Sequence, residues 1–230
     1  MLTVERLADA DKSVWNEWLS TTADAYVYHL WEWGDVLCRT YGYTRYYVVA
    51  KDRDNIVGAF PLLYVKSLIF GKRLISLPFV EYAGPLLKHG VRSSKAQRIL
   101  SHLMEYTTTL KGLLKADYVE VRQPPQRLST LLPSFGFTPV HRHVTFRIDL
   151  TKDESELWAG LKKKARNSLR KAVKAGVEID EVDAAGLKPY YDLYLDAQKK
   201  HGSPPHSFAF FQNLYDTFRS DGSLRMTLAV

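Results

Sequence analysis

The sequence lacks several features that would assign it to a familiar class of protein. Its 230 residues include one cysteine, Cys38, so an intrachain disulfide is impossible and a reducing compartment is favoured. Its longest apolar stretches, such as AFPLLYV, fall far short of the ~20 residues that a membrane-spanning helix needs. The N-terminal MLTVERLADADKS carries acidic residues and no long apolar run, which argues against a signal peptide. We therefore expect a soluble, cytoplasmic protein, with peripheral membrane contact left open.

Motifs for common cofactors are also missing. No GxGxxG, GxxxxGK[ST] or GxSxG pattern occurs, which argues against dinucleotide binding, P-loop nucleotide binding and a hydrolase nucleophile elbow. The pairs His141 and His143, and His201 and His206, have no cysteine or carboxylate at metal-ligand spacing. We predict no metal and no cofactor, and we interpret Cys38 as a core residue.

Positive charge is concentrated in one segment. The formal net charge is +7, and the residues from 157 to 175 contain seven basic side chains and no acidic one. The rest of the chain is therefore neutral overall. Because the charge is local, it indicates a polyanionic partner rather than general solubility.

Hydrophobic periodicity predicts both strands and helices in the first 150 residues. RYYVVAKDRDNIVGAFPLLYV reads as a hairpin, Ser93 to Leu114 as an amphipathic helix, and DYVEVRQ and HVTFRIDL as strands. Pro78, Gly84 and Pro85 make a regular central strand unfavourable in KRLISLPFVEYAGPLL. Strands and helices alternate with an early hairpin, which predicts an α+β domain with a mixed, largely antiparallel sheet flanked by helices.

The pattern of the sequence changes after residue 150. TKDESE offers helix N-cap patterns, and Gly176 suits the position just after a helix end. We predict one helix from about Glu154 to Ala175, then the strand VEIDEV, two helices around the loop GSPPH, and the strand LRMTLAV. The predicted domains are 1–150 and 151–230. LRMTLAV either fills a sheet position here or is the start of a second sheet in a longer chain, and we favour the second interpretation.

The basic helix is expected to be two-faced. Lys162, Arg166, Arg170 and Lys174 are spaced by four and so lie on one ridge, opposite an apolar stripe expected to face the core. Like charges at this spacing repel, at about 0.2–0.5 kcal/mol per pair. Three interpretations stay open: a solvated face, a nucleic-acid contact, or a site for a phosphorylated small molecule or anionic lipid surface.

Aromatic residues are dense near the N-terminus. We interpret them as a wall of the hydrophobic core, the alternative being a stacking surface for a sugar or a base. The cluster comprises Trp31, Trp33, Tyr41, Tyr43, Tyr46 and Tyr47.

Four segments carry a resemblance to a known family. They are HLWEWGDVLCRTYGY, NIVGAFPLLYVKSLIFGKRLISLPFVEYAGPL, LWAGLKKKARNSLRKAVKAGVEI and QKKHGSPPHSFAFFQNLYDTF. In this order they resemble the N-terminal helix, the early hairpin and next strand, the mid-chain basic segment, and the following loop and helix of FemAB-type peptidoglycan interpeptide-bridge aminoacyltransferases. The resemblance is collinear over nearly the whole chain.

The resemblance implies two GNAT-like acyltransferase domains, the first ending near Leu150 and the second only begun in this chain. It implies aminoacyl-tRNA, or another activated acyl donor, as one partner. The acceptor would be a phosphorylated or lipid-linked envelope precursor, held in a groove with basic side chains on its phosphates. Because most of the second domain would lie beyond Val230, the chain is expected to be incomplete and inactive alone.

The site residues follow from this implied function. We expect Lys162, Arg166, Arg170 and Lys174 to bind phosphate or tRNA. Tyr82, at the strand break before Gly84 and Pro85, and His206 and Phe208, in and after the GSPPH loop, would line the acceptor groove; a packed strand residue is the alternative for Tyr82. The family's phosphate-binding position in the N-terminal helix falls near Val36 or Leu37, and Arg39 is the nearest cation. No catalytic residue is assigned.

Two rival functions stay open. One is a non-catalytic RNA-binding or tRNA-binding module. The other is an N-acyltransferase that uses acyl-CoA, although the sequence lacks a Q/R-x-x-G-x-G/A loop for a pyrophosphate.

Overall fold

The structure is a computed structural model that describes residues 1–22, 24–124, 128–140 and 144–230. It divides into two compact units, residues 1–140 and 141–230. The domain boundary expected between residues 150 and 151 stays a prediction.

A six-stranded sheet forms the centre of the first unit, in the order β1-β2-β3-β4-β6, with β5 pairing separately with β3. All its pairings are antiparallel except β4 with β6. The long β2–β3 hairpin is the one predicted from the alternating apolar runs, and Arg53 at its turn has a positive φ of 56°. The strands are β1 (Leu2–Arg6), β2 (Thr44–Asp52), β3 (Asn55–Ser67), β4 (Gly71–Ile75), β5 (Leu86–Leu87) and β6 (Tyr118–Glu120).

The described residues of this unit form the α-helices α1 (Lys12–Leu19), α2 (Trp31–Tyr41) and α3 (Ser93–Leu114). Short 3₁₀ turns occur at Asp9–Asp11, Val27–His29 and Leu132–Phe135. The buried residues of α3 recur every three or four positions, so one face of the helix packs on β1, β2 and β3. The core between helix and sheet includes Phe60, Leu62, Leu74, Ile99 and Leu103.

The regular backbone hydrogen bonding of the sheet ends after β4. Ser76 N donates to Glu120 O at 2.9 Å, but the next link uses the Ser76 hydroxyl, which accepts from Arg122 N at 2.7 Å. Beyond it, Leu77 and Phe79 adopt positive φ values of 53° and 65°, a conformation that non-glycine residues rarely take. The chain therefore leaves the sheet at Leu77.

The second unit contains α4 (Glu154–Gly160), α5 (Lys163–Lys174), α6 (Leu187–His201) and α7 (Phe208–Phe218). A small antiparallel sheet joins β7 (Ile179–Glu181) to β8 (Thr227–Ala229). The pairing of β7 with β8 means that LRMTLAV contains a strand, as predicted. Asp153 caps α4 in a capping box with Glu156, again as predicted.

Two predictions for this part of the chain are wrong. The helix expected from Glu154 to Ala175 is broken, because Gly160 ends α4 and Leu161 and Lys162 have extended ψ values of 139° and 143°. HVTFRIDL was expected to be a strand, but residues 144–149 form no regular structure and Val144, Phe146, Ile148 and Leu150 are exposed. Its alternating pattern suits a sheet face, and the described residues provide no strand partner for it. The predicted α+β class with a mostly antiparallel sheet is confirmed.

None of the helices in the described residues is long and apolar enough to cross a membrane.

Candidate functional site

The break between α4 and α5 is closed by an arginine. Arg166 Nη1 donates to Ala159 O at 2.9 Å and lies 3.4 Å from Trp158 O. These carbonyls belong to the last turn of α4, where intrahelical donors run out. The guanidinium therefore supplies the missing donor and fixes the angle at which α5 begins.

Of the four cations predicted to form the ridge, Lys162, Arg170 and Lys174 are exposed and Arg166 is half-buried. Arg166, Arg170 and Lys174 lie one turn apart on this 12-residue helix, and Lys162 is its N-cap residue rather than a member of the helical ridge. Within the described residues, no carboxylate forms an ion pair with any of these four. The Arg170 guanidinium lies 5.7 Å from the centre of the Trp158 ring, a cation–π arrangement. The ridge of positive charge predicted from the sequence is thus present, one residue shorter than expected.

The apolar stripe of α5 is not buried, contrary to our expectation. Leu169 and Val173 are 47% and 75% exposed, and Trp158 is exposed as well. The described part of the second unit offers this stripe no packing surface. The periodicity of the sequence identified the apolar side chains that share one face of the helix, but it does not indicate which residues pack against them.

The loop between α6 and α7 is held by tyrosine hydroxyls. Tyr191 OH donates to His206 O at 3.0 Å, and His206 N donates to Tyr194 OH at 2.9 Å. The Tyr194 hydroxyl also accepts from Gln198 Nε2 at 2.9 Å. Both tyrosines escaped the sequence analysis, although their spacing of three on a helix places them on one face. They fix the backbone position of His206.

Aromatic rings pack around this loop. The His206 ring lies 4.5 Å from that of Phe210, and Phe208 meets Tyr191 edge-on at 5.4 Å. Burial lowers the pKa of His206 below its ordinary value, because the charged imidazolium loses hydration there. This shift favours the neutral form of the His206 ring. Phe208 and His206, two of the predicted site residues, lie together in one aromatic cluster.

Tyr82 lies where the chain returns toward the sheet. Its ring is 5.6 Å from that of Tyr26, which stacks on His29 at 6.0 Å. Ala83 N donates to Arg122 O at 2.9 Å, which ties the segment to the chain after β6. Tyr82 is half-buried, which is compatible with both alternatives for this residue, a packed strand residue and a residue that lines the acceptor groove.

His29 holds this region together from within. Its Nδ1 accepts from Tyr26 N at 3.0 Å, so its Nε2 carries the proton and faces Gly84 O at 3.3 Å. Burial lowers the pKa of His29 to about 4. The neutral imidazole therefore joins the 3₁₀ turn before α2 to the strand break at Gly84. Sequence spacing gave no signal for this role.

Arg39 lies in the last turn of α2 and is exposed, whereas Val36 and Leu37 are fully buried. The buried pair cannot contact a ligand, so Arg39 stays the candidate cation of this helix. The N-terminal aromatic cluster also contains both buried residues and residues near the surface. Trp31 and Tyr47 are core residues, whereas the Tyr41 ring stacks on the Tyr43 ring near the surface, with the ring centres 5.3 Å apart. Burial raises the pKa of Cys38, which fits a packed thiol rather than a nucleophile.

A surface depression of about 330 Å³ lies elsewhere in the first unit, beside Arg6, Leu7 and Arg45. Arg45 bonds to Asp35 and, at 3.0 Å, to Asp9, and its guanidinium lies over the Trp31 ring at 4.2 Å. Because its charge is met by two carboxylates of the same unit, we interpret Arg45 as structural.

The candidate residues thus form separate groups. Arg39 and Tyr82 lie in the first unit, and His206, Phe208 and the α5 cations lie in the second. His141 and His143 lie outside the described residues. In the part of the chain that the structure describes, no three His, Cys, Asp or Glu side chains are grouped to hold a metal ion.

Comparisons with known proteins agree on one relationship. The model of the FemAB family matches residues 133–230. The Lipid II:glycine glycyltransferase of Staphylococcus saprophyticus is 26% identical over 219 residues, covering 86% of this chain and 49% of the relative. The protein of that name from Staphylococcus aureus is 25% identical over 89 residues, covering 39% of this chain and 21% of its own length. The chain therefore spans about half the length, or less, of the curated relatives it matches.

The crystal structure of FemX superposes with a TM-score of 0.64 at 19% identity, covering 99% of this chain and 57% of that one. This likeness concerns the fold. The family match is confined to residues 133–230, whereas the likeness in fold extends over nearly the whole chain. The chain is therefore similar to FemAB proteins, most directly over residues 133–230, and the resemblance first seen in its four segments is confirmed.

Proposed function

We propose that this chain is part of a FemAB-like transferase that moves an aminoacyl group from an activated donor to an amine of a cell-envelope precursor. The observation that carries the proposal is the row of cations on α5, which have no carboxylate partner among the described residues and lie within the segment that the family model matches. The names of the relatives state transfer of glycine to lipid II for those proteins. A donor and an acceptor of this kind are both rich in phosphate.

The cations are suited to a phosphate backbone or a diphosphate. Arg170 and Lys174 point into solvent, and Arg166 has N–H donors besides Nη1, the one engaged with α4. Arginine binds phosphate through two parallel bonds and lysine acts as a point charge. We propose that Lys162, Arg166, Arg170 and Lys174 hold the phosphates of aminoacyl-tRNA, which would place the reaction in the cytoplasm.

The acceptor is proposed to lie against aromatic and neutral groups. His206, in its favoured neutral form, would offer hydrogen bonds rather than charge to the acceptor, and Phe208 beside it a ring face. Tyr82 and the exposed Arg39 are the corresponding candidates in the first unit. These assignments rest on the resemblance and on each residue's exposure.

The proposed chemistry is aminolysis of an ester. The acceptor nitrogen forms a bond to the carbonyl carbon of the aminoacyl group, the ester C–O bond breaks, and the ribose hydroxyl leaves with the proton that the amine loses. Because the donor is already activated, the protein needs mainly to orient both partners and to stabilise the oxyanion. We assign no catalytic residue.

Salt-dependent tRNA binding tests the role of α5. Arg170→Glu with Lys174→Glu should reduce the slope of log affinity against log salt by about 1.4–1.8, because each lost phosphate contact removes about 0.7–0.9. Lys199→Glu with Lys200→Glu, on exposed positions of α6, is the matched control with the same charge change. Equal losses in both variants would mean that only net charge matters and would reject the α5 site.

Substrate consumption tests the activity itself. The complete gene product is incubated with charged tRNA, acyl-CoA and a lipid-linked precursor bearing a free amine. Loss of aminoacyl-tRNA with gain of an amide on the precursor supports the proposal. Consumption of acyl-CoA instead indicates the acyl-CoA-dependent alternative, and tRNA binding without transfer indicates an RNA-binding module.

A further inference from the structure

The tip of the β3–β4 hairpin presents an unusual apolar surface. Leu68, Ile69 and Phe70 follow one another directly, with relative exposures of 108%, 84% and 68%. A single exposed leucine is ordinary, but three consecutive large apolar side chains on a protruding turn mark an interaction surface. We call these three residues the hairpin tip.

The hairpin tip is held in place by its own backbone contacts. The Ser67 hydroxyl accepts from Ile69 N at 3.2 Å and from Phe70 N at 3.0 Å. Gly71, with φ of 73°, closes the turn, and Lys72 N donates to the Asp117 carboxylate at 2.8 Å. Because the turn is already ordered, its binding to another surface would lose little conformational entropy.

Cations surround the base of the tip. Lys66, Lys72 and Arg73 flank it in sequence, and no acidic residue occurs between positions 66 and 73. The Arg73 guanidinium lies 5.8 Å from the Phe70 ring. Its Nη1 also donates to Tyr118 OH at 3.3 Å. Positive charge and the exposed Tyr118 thus lie close to the apolar side chains.

The end of α3 adds to this surface. Tyr64 OH donates to Leu114 O at 2.8 Å, and Asp117 N donates to Lys72 O at 2.8 Å, so the chain after α3 lies against the hairpin base. Lys115 and the 76%-exposed Leu113 lie on this segment. Asp117 is the carboxylate that contacts the hairpin, and the neighbouring cations outnumber it.

We propose that this hairpin docks the protein on a membrane surface that contains anionic phospholipid. The tip enters the boundary between headgroups and acyl chains, and the cations at its base contact lipid phosphates. An exposed apolar tip with cations on both sides of it in the chain complements a soft, negatively charged surface. A second copy of the chain fits less well, because two such sets of cations repel each other.

The proposal goes beyond the proposed transferase function and does not depend on it. The contacts belong to the first unit alone and involve none of the α5 cations. If both proposals hold, the hairpin would hold the protein at the surface where a lipid-linked acceptor lies.

Vesicle co-sedimentation of the full chain tests the docking. We expect binding to phosphatidylcholine vesicles that contain phosphatidylglycerol, weaker binding to phosphatidylcholine alone, and further weakening as salt rises. Leu68→Asn with Ile69→Asn and Phe70→Asn should lower the apparent affinity at least about tenfold. Lys66→Gln with Lys72→Gln should also lower it about tenfold and reduce the preference for phosphatidylglycerol.

Matched controls carry the same chemistry elsewhere in the first unit. Val14→Asn removes an exposed apolar side chain, and Lys88→Gln with Arg98→Gln removes two exposed cations. Neither control should change vesicle binding. An environment-sensitive fluorophore on Ile69→Cys, in a Cys38→Ser background, should shift to shorter wavelength with anionic vesicles, whereas the same label on Val14→Cys should not.

Three results would overturn the proposal. They are failure to bind phosphatidylglycerol vesicles at low salt, unchanged binding of the triple asparagine variant, and an unshifted fluorophore on bound protein. Concentration-dependent dimers that the triple variant abolishes, without vesicle binding, would instead assign the tip to a second copy of the chain.

Discussion

Arg166 and Ala159 are joined across the break between α4 and α5 by a hydrogen bond of 2.9 Å from guanidinium to carbonyl. One arginine therefore belongs both to the basic ridge of α5 and to the end of α4. Substitutions at this position change geometry as well as charge, whereas Arg170 contacts α4 through the Trp158 ring.

Arg166→Gln should loosen the corner between the two helices. Loss of the charge-assisted bond should destabilise it by about 0.5–1.5 kcal/mol, because the last carbonyls of α4 would depend on water. Hydrogen exchange at residues 158–163 should then accelerate about threefold to tenfold. Arg170→Gln removes the same charge and should leave exchange there nearly unchanged. Equal acceleration in both variants would indicate a charge effect and not a capping bond.

The stability of the first unit should depend on pH through His29. Its pKa of about 4 in the fold lies below the ordinary 6.5, so folding disfavours the protonated ring. Stability is therefore intact above pH 6.5, declines as pH falls from 6.5, and has lost about 3 kcal/mol below pH 4. Urea unfolding followed across this range should show the decline. His29→Gln should be less stable at pH 7 and flatter with pH, whereas His89→Gln, an exposed control, should keep the original slope.

Gly84→Ala should destabilise the strand break. A Cβ at this position would collide with the Gln123 side chain and lie 3.2 Å from Arg122 O, a backbone atom that cannot move aside easily. We expect a loss of about 1–3 kcal/mol, as for other overpacked sites, seen as a lower melting temperature. Gly112→Ala in α3 meets open space and should stabilise by about 0.5 kcal/mol through helix propensity. A neutral Gly84→Ala would mean that the Gln123 side chain can move away.

Tyr194→Phe should release the loop before α7. The His206 amide would lose its acceptor at 2.9 Å, a change of about 0.5–1.5 kcal/mol, so its hydrogen exchange should accelerate about twofold to tenfold. Tyr190→Phe is the matched control, because its ring packs on Phe211 and both loop hydrogen bonds remain. Unchanged exchange at His206 would mean that other contacts hold the loop.

Local signals predicted most of the fold. The β2–β3 hairpin follows from two apolar runs around a polar turn, and α3 follows from its recurring apolar face. The break at residues 161–162 was missed because the helical pattern of charges continues through it. Gly160 was the residue that indicated a helix break in the sequence, since glycine is a poor helix former and ends α4 here.

The candidate site was predictable only as residue types. Charge spacing identified the cations of α5, but the apolar stripe's exposure depends on packing across the unit, which periodicity does not report. The Tyr194 bond to His206 and the His29 contact with Gly84 join residues distant in sequence. Nothing in the neighbouring residues indicates such pairs before the fold is known. In the sequence, the residues of the hairpin tip contributed only to the family resemblance. Their exposure could not be predicted, because it is a property of the folded hairpin.

Four of the five tryptophans lie in the first unit, and Trp15 and Trp31 are almost completely buried there. The fifth, Trp158, is partly exposed beside Arg170. The intrinsic fluorescence of this protein is thus dominated by one unit, and an optical unfolding curve would follow that unit while hardly registering the other. Replacing Trp158 with phenylalanine would make the tryptophan emission a reporter of residues 1–140 alone.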